Sequence, residues 1–174
     1  MNLNALQQQL QQPNLAPLEL WDPPFCGDLP LVIKADGRWC YQGSPIERLA
    51  LVQLFASVLV CRAGEYFLLT PVEKVRIQVE DAAFLITELQ QRETGQGVVL
   101  LATTNLQHQV LISAEYPLVL QPQADGQLLP YLQLWRGLTA KFSRPCYYQL
   151  AEWACRNQDQ WFVESAGQQF LLGA

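Results

Sequence analysis

Three cations in the chain, Arg48, Lys74 and Arg136, have the chemistry to hold an anionic ligand. Arg48 falls in the predicted first turn of a helix, where the helix dipole disfavours a cation and an anionic partner offsets that effect. Lys74 closes the polar stretch 70–74 (Thr-Pro-Val-Glu-Lys), which follows an aromatic strand, and binding residues are common on loops held by rigid elements. Arg136 lies in an otherwise apolar segment predicted as a strand. The alternative for either arginine is an ion pair with a carboxylate such as Glu47, Glu73 or Asp81, and the alternative for Lys74 is a position beside Glu73 on a solvated loop.

Aromatic residues supply a second kind of binding chemistry. Trp39, Tyr41, Trp135 and Trp161 can stack on a base or another planar ring if they face a cleft. They also occupy alternating positions of predicted strands, which is typical of core residues. The sequence therefore leaves two interpretations, a hydrophobic core and a stacking platform near the cations.

Catalytic chemistry is sparse in this sequence. His108 is the only histidine, and its neighbours place it in a turn or at a strand edge, which indicates an exposed or locally hydrogen-bonded imidazole. The chain contains no Gly-x-Ser-x-Gly nucleophile motif and no phosphate-binding glycine loop, and the glycine pair at 95 and 97 precedes a predicted strand. We therefore expect neither a catalytic residue nor a cofactor.

Composition excludes several classes of protein. Half of the 174 residues are hydrophobic and 16% are charged, which suits a globular protein. The net charge of −5 and the pI near 4.8 oppose binding to polynucleotides and to anionic membranes. No apolar run reaches membrane-spanning length, and the first residues lack a secretory pattern, so we expect a protein of the cytoplasm. The five cysteines lack the spacing of a metal site or a disulfide framework, so we expect them to be reduced.

Two stretches of the chain repeat the same order of landmarks. Each has an acidic residue, a proline, three aliphatic residues, Ala-Asp-Gly and aromatic-x-Gly, followed by an apolar stretch of helical period and an aromatic strand. Asp-Gly between aliphatic and aromatic runs predicts a hairpin, because glycine tolerates the positive φ of a tight turn. The repeat therefore predicts a duplicated hairpin-helix-strand unit. The matching landmarks are Asp28, Pro30, Asp36, Tyr41, Gly43 and Tyr66 in the first copy, and Glu115, Pro117, Asp125, Trp135, Gly137 and Trp161 in the second.

Helix starts are predicted in both copies. Residues 44–47 (Ser-Pro-Ile-Glu) have the form of a capping box, in which the serine and glutamate side chains bond the free amides of a first turn. In the second copy Arg144 and Pro145 mark the matching start. Leucines at 3, 6 and 10 have helical spacing in the glutamine-rich start, and they predict a terminal helix that packs or frays rather than one that binds a partner.

The middle of the chain predicts consecutive antiparallel strands at 75–79, 84–89, 98–103 and 109–112, which are rich in β-branched and aliphatic residues and separated by turn residues. The fold class is therefore α+β and mostly antiparallel β. The predicted organisation is an N-terminal glutamine-rich segment at 1–20, a first repeat domain at 21–81 and a larger second repeat domain at 82–174.

Several short motifs occur in a fixed order along the chain. They lie at residues 25–28 (Phe-Cys-Gly-Asp), 36–46, 70–74, 79–82, 103–105 and 136–138. With these motifs the chain resembles a bacterial family known as domain of unknown function 1285. The resemblance implies a duplicated two-domain α+β architecture, with a second domain loosely similar to pleckstrin-homology folds. It also implies a site at the interface between the domains that accepts a nucleotide-like ligand, and a role in signalling.

The residues and the resemblance together favour a non-enzymatic protein that binds a small anionic or nucleotide-like ligand. Lysine and arginine would hold the anionic group while an aromatic residue stacks on a ring. One alternative is a protein-interaction adaptor, because pleckstrin-homology-like frames present strand edges or grooves to peptides. A third, with the least support, is a hydrolase whose metal is held by Asp28, Glu73 and Asp81, provided that the fold brings them together. The predicted ligand contacts are Arg48, Thr70, Glu73, Lys74, Arg136, Trp39 and Tyr41.

Overall fold

The structure is a computed structural model that describes residues 2–10 and 17–173. Strands dominate and are accompanied by three α-helices, which confirms the predicted α+β class. No helix among the described residues is long and apolar enough to cross a bilayer.

The helices are α1 (Leu3–Leu10), α2 (Leu49–Ala56) and α3 (Arg144–Trp153), with short 3-10 turns at Leu18–Leu20 and Trp135–Gly137. The strands are β1 (Phe25–Ile33), β2 (Trp39–Tyr41), β3 (Ser44–Pro45), β4 (Leu59–Arg62), β5 (Glu65–Leu69), β6 (Lys74–Val79), β7 (Phe84–Thr94), β8 (Gly97–Thr104), β9 (Gln109–Leu111), β10 (Leu118–Pro122), β11 (Leu128–Gln133), β12 (Thr139–Phe142), β13 (Cys155–Asn157), β14 (Gln160–Ser165) and β15 (Gln168–Gly173).

The chain divides into two compact units, Met1–Asp81 and Ala82–Ala174. The first, called unit 1, is built on one six-stranded sheet in the order β3-β2-β1-β6-β5-β4. All its neighbouring strands are antiparallel except β1 and β6, which run parallel. Leu31, Ile33, Phe55, Leu59 and Leu68 are fully buried and form its core.

The N-terminal helix α1 belongs to unit 1 and contacts α2. Its leucines lie on one face, and Leu6 and Leu10 are buried, which confirms the helix predicted from the leucine spacing. In α2 the apolar residues nearly surround the helix, and Val52, Phe55 and Ala56 face the core. Burial of these apolar side chains stabilises helices that are too short to persist alone.

Ala82–Ala174, called unit 2, contains a six-stranded sheet in the order β10-β11-β12-β7-β8-β9 and a three-stranded sheet β13-β14-β15. Among the described strands of this unit, only β12 and β7 are parallel neighbours. Ser165, at the end of β14, is fully buried; its hydroxyl accepts from Leu100 N at 2.8 Å and donates to Ile112 O at 2.6 Å. This serine therefore attaches the small sheet to β8 of the large sheet.

The two copies of the repeat fold alike at their Ala-Asp-Gly turns. In each, the amide of the residue before the alanine donates to the carbonyl oxygen of the residue after the glycine. The glycine amide donates to the carbonyl oxygen of the residue before the alanine. The aspartate side chain accepts from the amide of the residue after the glycine. The distances are 2.8, 3.0 and 3.1 Å in the turn from Lys34 to Arg38, and 2.7, 2.9 and 3.0 Å in the turn from Gln123 to Gln127. Both glycines have left-handed φ, +91° and +83°. The predicted hairpins are thus confirmed.

The repeated unit is longer than the predicted hairpin, helix and strand. Each copy consists of three strands, a helix and three further strands: β1 to β3, α2 and β4 to β6 in unit 1, and β10 to β12, α3 and β13 to β15 in unit 2. The predicted helix start at Arg144 and Pro145 is confirmed, because α3 begins at Arg144 and Ser143 caps it by accepting from Cys146 N.

The capping box predicted at residues 44–47 is not formed. Ser44 and Pro45 form β3, in which Ser44 pairs with Tyr41, and α2 begins at Leu49 without a side-chain cap. Gly43 has a φ of +84°, so a tight hairpin turn precedes Ser44 and places this residue in a strand. Proline is tolerated there because β3 lies at the edge of the sheet, where its missing N–H is not needed.

Arg136 lies in a turn rather than in the predicted strand. Arg136 and Gly137 have φ of 54° and 73°, matching 49° and 84° at Gln42 and Gly43 in the first copy. Leu138 N donates to Trp135 O at 3.0 Å across this turn. Arginine and glutamine therefore occupy the same position of two equivalent tight turns, and sequence periodicity alone did not reveal the reversal of the chain.

Candidate functional site

The loop between β5 and β6 is closed by Thr70, one of the predicted ligand contacts. Thr70 is completely buried (0% exposed), its amide donates to Glu73 O at 2.8 Å, and its hydroxyl oxygen accepts from Val72 N at 3.3 Å and Glu73 N at 3.0 Å. The Glu73 carboxylate in turn accepts from Gln9 Nε2 of α1 at 3.2 Å. Thr70 thus closes the loop, Glu73 connects it to α1, and the residue that follows, Lys74, starts β6 in a fixed position.

Lys74 is half-buried and its ammonium lies 4.9 Å from the centroid of the Phe67 ring. Such a contact attracts a cation to the negative face of the ring and restrains a flexible side chain. Among the described residues Lys74 has no carboxylate within ion-pair distance. The lysine is therefore a positioned cation whose charge is not neutralised within the described part of the chain.

Phe25, the first residue of β1, lies beside Lys74 in the parallel pairing of β1 with β6. Its side chain is 50% exposed, and it packs edge-on against Phe67 with centroids 6.2 Å apart and planes at 86°. Arg76, two residues after Lys74, lies 5.5 Å from the Phe25 centroid. An exposed ring is thus flanked by two cations on the same surface, called here the Phe25 surface and consisting of Phe25, Asp28, Glu65, Phe67, Lys74 and Arg76.

The guanidinium of Arg76 already binds two carboxylates. Its Nε and one terminal nitrogen donate to the two oxygens of Asp28 at 2.6 and 3.1 Å, and the other terminal nitrogen donates to Glu65 at 2.8 Å. The hydrogen bond from Arg76 holds the pKa of Asp28 below its usual range, and the two carboxylates raise the pKa of Arg76, with Asp28 as the larger cause. Arg76 is therefore permanently charged, and its charge is compensated twice.

A surface depression of about 370 Å³ borders Arg76. Its lining carries Arg76 and two carboxylates, Glu65 and Glu80. Glu80 accepts from Lys34 Nζ at 3.1 Å and from Ala35 N at 2.8 Å, and the bond from the Ala35 amide is the main cause that lowers its pKa. Both carboxylates are therefore held at the surface beside Arg76.

The predicted aromatic contacts lie on the other face of this sheet. Trp39 pairs with Ile33, and Tyr41 pairs with Leu31, so these aromatic side chains share the face of two fully buried aliphatic residues. The side chain of Val32 points to the opposite face of β1, and Val32 pairs with Gln78 of β6. Gln78 shares its face of β6 with Lys74 and Arg76, so these two cations lie on the face opposite Trp39 and Tyr41.

Burial fits the core interpretation of Trp39, which is 2% exposed, while Tyr41 is half-buried. The indole N–H of Trp39 has no hydrogen-bond partner among the described residues. The structure thus brings together Thr70, Glu73 and Lys74, but it places Trp39 and Tyr41 across the sheet from Lys74.

The two predicted arginines occupy other places. Arg48 is exposed at the N-terminal boundary of α2, where its extended backbone precedes the first turn. Arg136 belongs to unit 2 and is half-buried in the tight turn described above. Neither is a member of the Phe25 surface.

The three carboxylates considered for a metal have separate contacts. Asp28 binds Arg76, and Glu73 accepts from Gln9. Asp81 lies near Tyr66, whose pKa is raised to about 12 mainly by burial and further by Cys61 and Asp81. In the part of the chain that the structure describes, no group of three or more His, Cys, Asp and Glu side chains is arranged to hold a metal ion.

The single histidine lies in an aromatic cluster of unit 2. The His108 ring is edge-on to Phe84 at 5.7 Å and to Trp135 at 5.4 Å, and Tyr116 packs on Trp135 at 6.1 Å. His108 Nδ1 lies 3.3 Å from the Thr104 hydroxyl, and burial lowers the pKa of the imidazole. The predicted local hydrogen bond is present, but the ring is half-buried and not exposed.

Sequence reasoning missed Phe25 and Arg76 as members of the surface around Lys74. Two patterns could have identified them. Lys74 and Arg76 are two residues apart on one strand and must share a face, and Phe25 lies in a motif of the family resemblance that had been given no role. The parallel pairing of β1 with β6, which the sequence did not predict, brings the two patterns together.

Two family models match successive parts of the chain. The N-terminal domain of domain of unknown function 1285 (DUF1285) matches residues 16–82, and the C-terminal domain of the same family matches residues 83–172. No curated protein matches the chain at a significant level. The chain therefore belongs to the DUF1285 family, as its motifs predicted.

Two crystal structures of DUF1285 family proteins are similar to this chain. The protein from Silicibacter pomeroyi DSS-3 is 34% identical, with a TM-score of 0.90 over 99% of this chain and 95% of that one. The protein from Shewanella baltica OS155 is 35% identical, with a TM-score of 0.57 over 71% of this chain and 91% of that one. These likenesses confirm the two-domain α+β architecture, while a similarity of the second domain to pleckstrin-homology folds stays a prediction.

Proposed function

We propose that this DUF1285 protein binds a small anionic, nucleotide-like ligand without catalysing a reaction, and that Lys74 on the Phe25 surface holds the anionic group. The observation that carries this proposal is the position of Lys74. Its ammonium is held over Phe67, is not neutralised by a described carboxylate, and lies next to an exposed aromatic ring.

The arrangement favours binding for two physical reasons. A lysine whose side chain is already restrained loses less conformational entropy when a ligand arrives, so more of the interaction contributes to affinity. A hydrogen bond from an ammonium to a phosphate or carboxylate is also stronger than one between neutral groups. Phe25 adds an apolar ring on which a planar ligand can stack.

Isothermal titration calorimetry of the full chain with a panel of nucleotides tests the proposal. We expect at least one nucleotide to bind, and we expect Lys74→Met to weaken its affinity by about tenfold or more, because a charge-assisted hydrogen bond is lost. Arg156→Met removes the same charge from an exposed ion pair in unit 2 and should leave affinity unchanged. If no nucleotide binds the wild-type chain, or if both variants bind equally well, the proposal is wrong.

Arg48 provides a second comparison within unit 1. It was predicted as a ligand contact, and it is exposed at the start of α2 rather than on the Phe25 surface. If binding occurs at Lys74, Arg48→Ala should leave the affinity for the same nucleotide close to that of wild type. A loss at Arg48 without a loss at Lys74 would place the ligand elsewhere on the molecule.

A regulatory role in the cytoplasm forms part of the same proposal. In the role in signalling that the family resemblance implies, the ligand-bound protein would act on another molecule. The wide, irregular spacing of the five cysteines supports a reducing compartment, because disulfide frameworks in secreted proteins usually show regular cysteine spacing.

An adaptor function is the second candidate, and a groove in unit 2 supports it. The groove has a volume of about 310 Å³ and lies between α3 and the small sheet, with Tyr147, Ala151, Trp161 and Leu172 in its lining. Trp161 on β14 is 43% exposed, and Tyr148 on α3 is 57% exposed. Aromatic residues are enriched at protein interfaces. Recovery of a stoichiometric partner by the wild-type chain but not by Trp161→Ala would favour this function.

A further inference from the structure

We infer that the Phe25 surface selects a ligand with an aromatic ring and a single negative charge, and that it rejects polyphosphates. This inference rests on the proposed function and specifies the chemical class of its ligand. Its basis is the charge arrangement around Arg76, which differs from the expectation that lysine and arginine side chains together hold an anion.

The ring requirement follows from Phe25. Its side chain remains 50% exposed although Phe67 packs edge-on against it and the Arg76 guanidinium lies 5.5 Å over its ring, so part of the ring still meets solvent. Planar ligands stack on such rings, and Lys74 lies beside Phe25 in the paired strands. A planar ring over Phe25 therefore brings an attached anionic group within reach of the Lys74 ammonium.

The charge requirement follows from the partners of Arg76. The guanidinium donates to both oxygens of Asp28 and to Glu65, so its donors on two sides are occupied and one positive charge faces two negative charges. A phosphate that approached Arg76 would either displace a carboxylate that is already bound in a favourable geometry or lie close to both carboxylates, which repel it. Within the described surface, Lys74 is the cation left for a ligand.

The depression beside Arg76 opposes additional negative charge. Glu65 and Glu80 line it, and the bonds to Glu80 lower its pKa, so this carboxylate is ionised at neutral pH. A chain of phosphates that extended from Lys74 along β6 would come close to these carboxylates, and juxtaposed like charges reduce affinity. One negative charge is therefore favoured by Lys74, whereas each further charge meets a region in which three carboxylates, Asp28, Glu65 and Glu80, face two cations, Arg76 and Lys34.

A series of adenine compounds with increasing charge tests the inference at constant ionic strength. Adenosine carries no charge, cyclic AMP carries one negative charge, and AMP and ATP carry progressively more. We expect cyclic AMP to bind the wild-type chain most tightly, and we expect Phe25→Leu to reduce its affinity by about fivefold or more because a base no longer stacks. Binding of ATP to the wild-type chain as tightly as cyclic AMP would overturn the inference.

A double variant provides a second test, in which the affinity for ATP should increase. Asp28→Asn with Glu65→Gln keeps the shape of both side chains, removes two negative charges and leaves Arg76 uncompensated. We expect its affinity for ATP to rise by about tenfold or more relative to wild type. The matched control is Asp159→Asn with Glu164→Gln, which changes the net charge equally in unit 2, and thermal unfolding of both variants verifies that they fold.

The outcomes separate the inference from the proposed function. If no nucleotide of the panel binds the wild-type chain, the proposed function itself fails. If ATP binding rises equally in the control double variant, the effect comes from net charge and the selective role of Asp28 and Glu65 is wrong. If compounds bind but the Asp28 and Glu65 variant gains nothing for ATP, the proposed function stands and the inference is overturned.

Discussion

Two buried threonines close loops in the same manner, one in each unit. Thr70 and Thr104 are each nearly inaccessible, and the hydroxyl oxygen of each accepts two backbone amides from the loop that follows. A hydroxyl has two lone pairs, so both acceptor positions are used within the loop. At the residue scale, Thr70 therefore fixes the position of Lys74, and its hydroxyl is already engaged.

The hydroxyl of Thr70 makes a testable contribution to stability. Thr70→Val keeps the shape of the side chain but leaves the amides of Val72 and Glu73 without their buried acceptor, which should reduce the free energy of unfolding by about 1–3 kcal/mol. Urea denaturation of the full chain measures this quantity. Thr70→Ser retains the acceptor and should cost less, so an equal loss in both variants would refute the role of the hydroxyl.

His108 predicts a pH dependence of stability in unit 2. Because the Thr104 oxygen accepts from two amides, its own proton faces His108 Nδ1, and this bond requires a neutral imidazole. Burial also lowers the pKa of His108 below its ordinary value of 6.5 in the folded chain. The unfolded chain therefore binds a proton more readily, and the stability should fall as the pH drops below about 6.5 until the lower folded-state pKa is reached.

The measurement is the free energy of unfolding at a series of pH values between about 5 and 8. His108→Phe keeps a ring in the aromatic cluster but cannot titrate, so it should flatten this part of the pH profile relative to wild type. An unchanged slope in the variant would assign the pH dependence to other groups. The variant should also lose stability at neutral pH, because the bond to Thr104 is absent.

At the element scale, the two repeat helices begin differently although the sequence predicted similar starts. Ser143 caps α3 by accepting from Cys146 N, whereas Arg48 at the same boundary of α2 makes no side-chain cap. The capping-box pattern at Ser44 was misleading because the Gln42-Gly43 turn places Ser44 in a strand. Local patterns for a helix cap and for a hairpin turn overlapped there, and the pairing of β2 with β3 decided between them.

Substitutions at the two boundaries should have opposite effects. Ser143→Ala removes a cap and should lower the free energy of unfolding by about 1 kcal/mol. Arg48 has the extended backbone of an N-cap residue, so Arg48→Ser supplies an acceptor for the free amides of α2 and should raise stability by up to about 1 kcal/mol. Thermal and urea unfolding measure both. A loss of stability in Arg48→Ser would indicate that the arginine makes a contribution other than its position at the boundary.

The register of the strands also explains which parts of the candidate site were predictable. Lys74 was found because a cation follows a polar loop, which is a local property of the sequence. The separation of Trp39 from Lys74 was not predictable, because it depends on which residues of β1 pair with β2 and which pair with β6. A shift of one residue in either pairing would move every side chain to the other face.

At the scale of the whole molecule, the same repeat is incorporated into sheets in two ways. In unit 1 the last strand of the copy, β6, pairs in parallel with the first strand, β1, and this pairing joins the six strands into one sheet. In unit 2 the third strand, β12, runs parallel to β7, which lies outside the copy, and the last three strands form a separate sheet. The sequence predicted the duplication and the strands, but long-range pairing determined the assembly of each unit.

The pairing of strands leads to a prediction about independent folding. Every strand pair among the described residues lies within one unit, and unit 2 has its own buried core, including Phe84, Ile86, Leu100 and Tyr131. A fragment with residues 82–174 should therefore fold by itself and unfold cooperatively. Circular dichroism and two-dimensional NMR of this fragment test the prediction. We expect the amide signals of β7 and β8 in the fragment to be dispersed and to have the same chemical shifts as in the full chain. A fragment without a cooperative unfolding transition would show that its sheets require residues 1–81 to form.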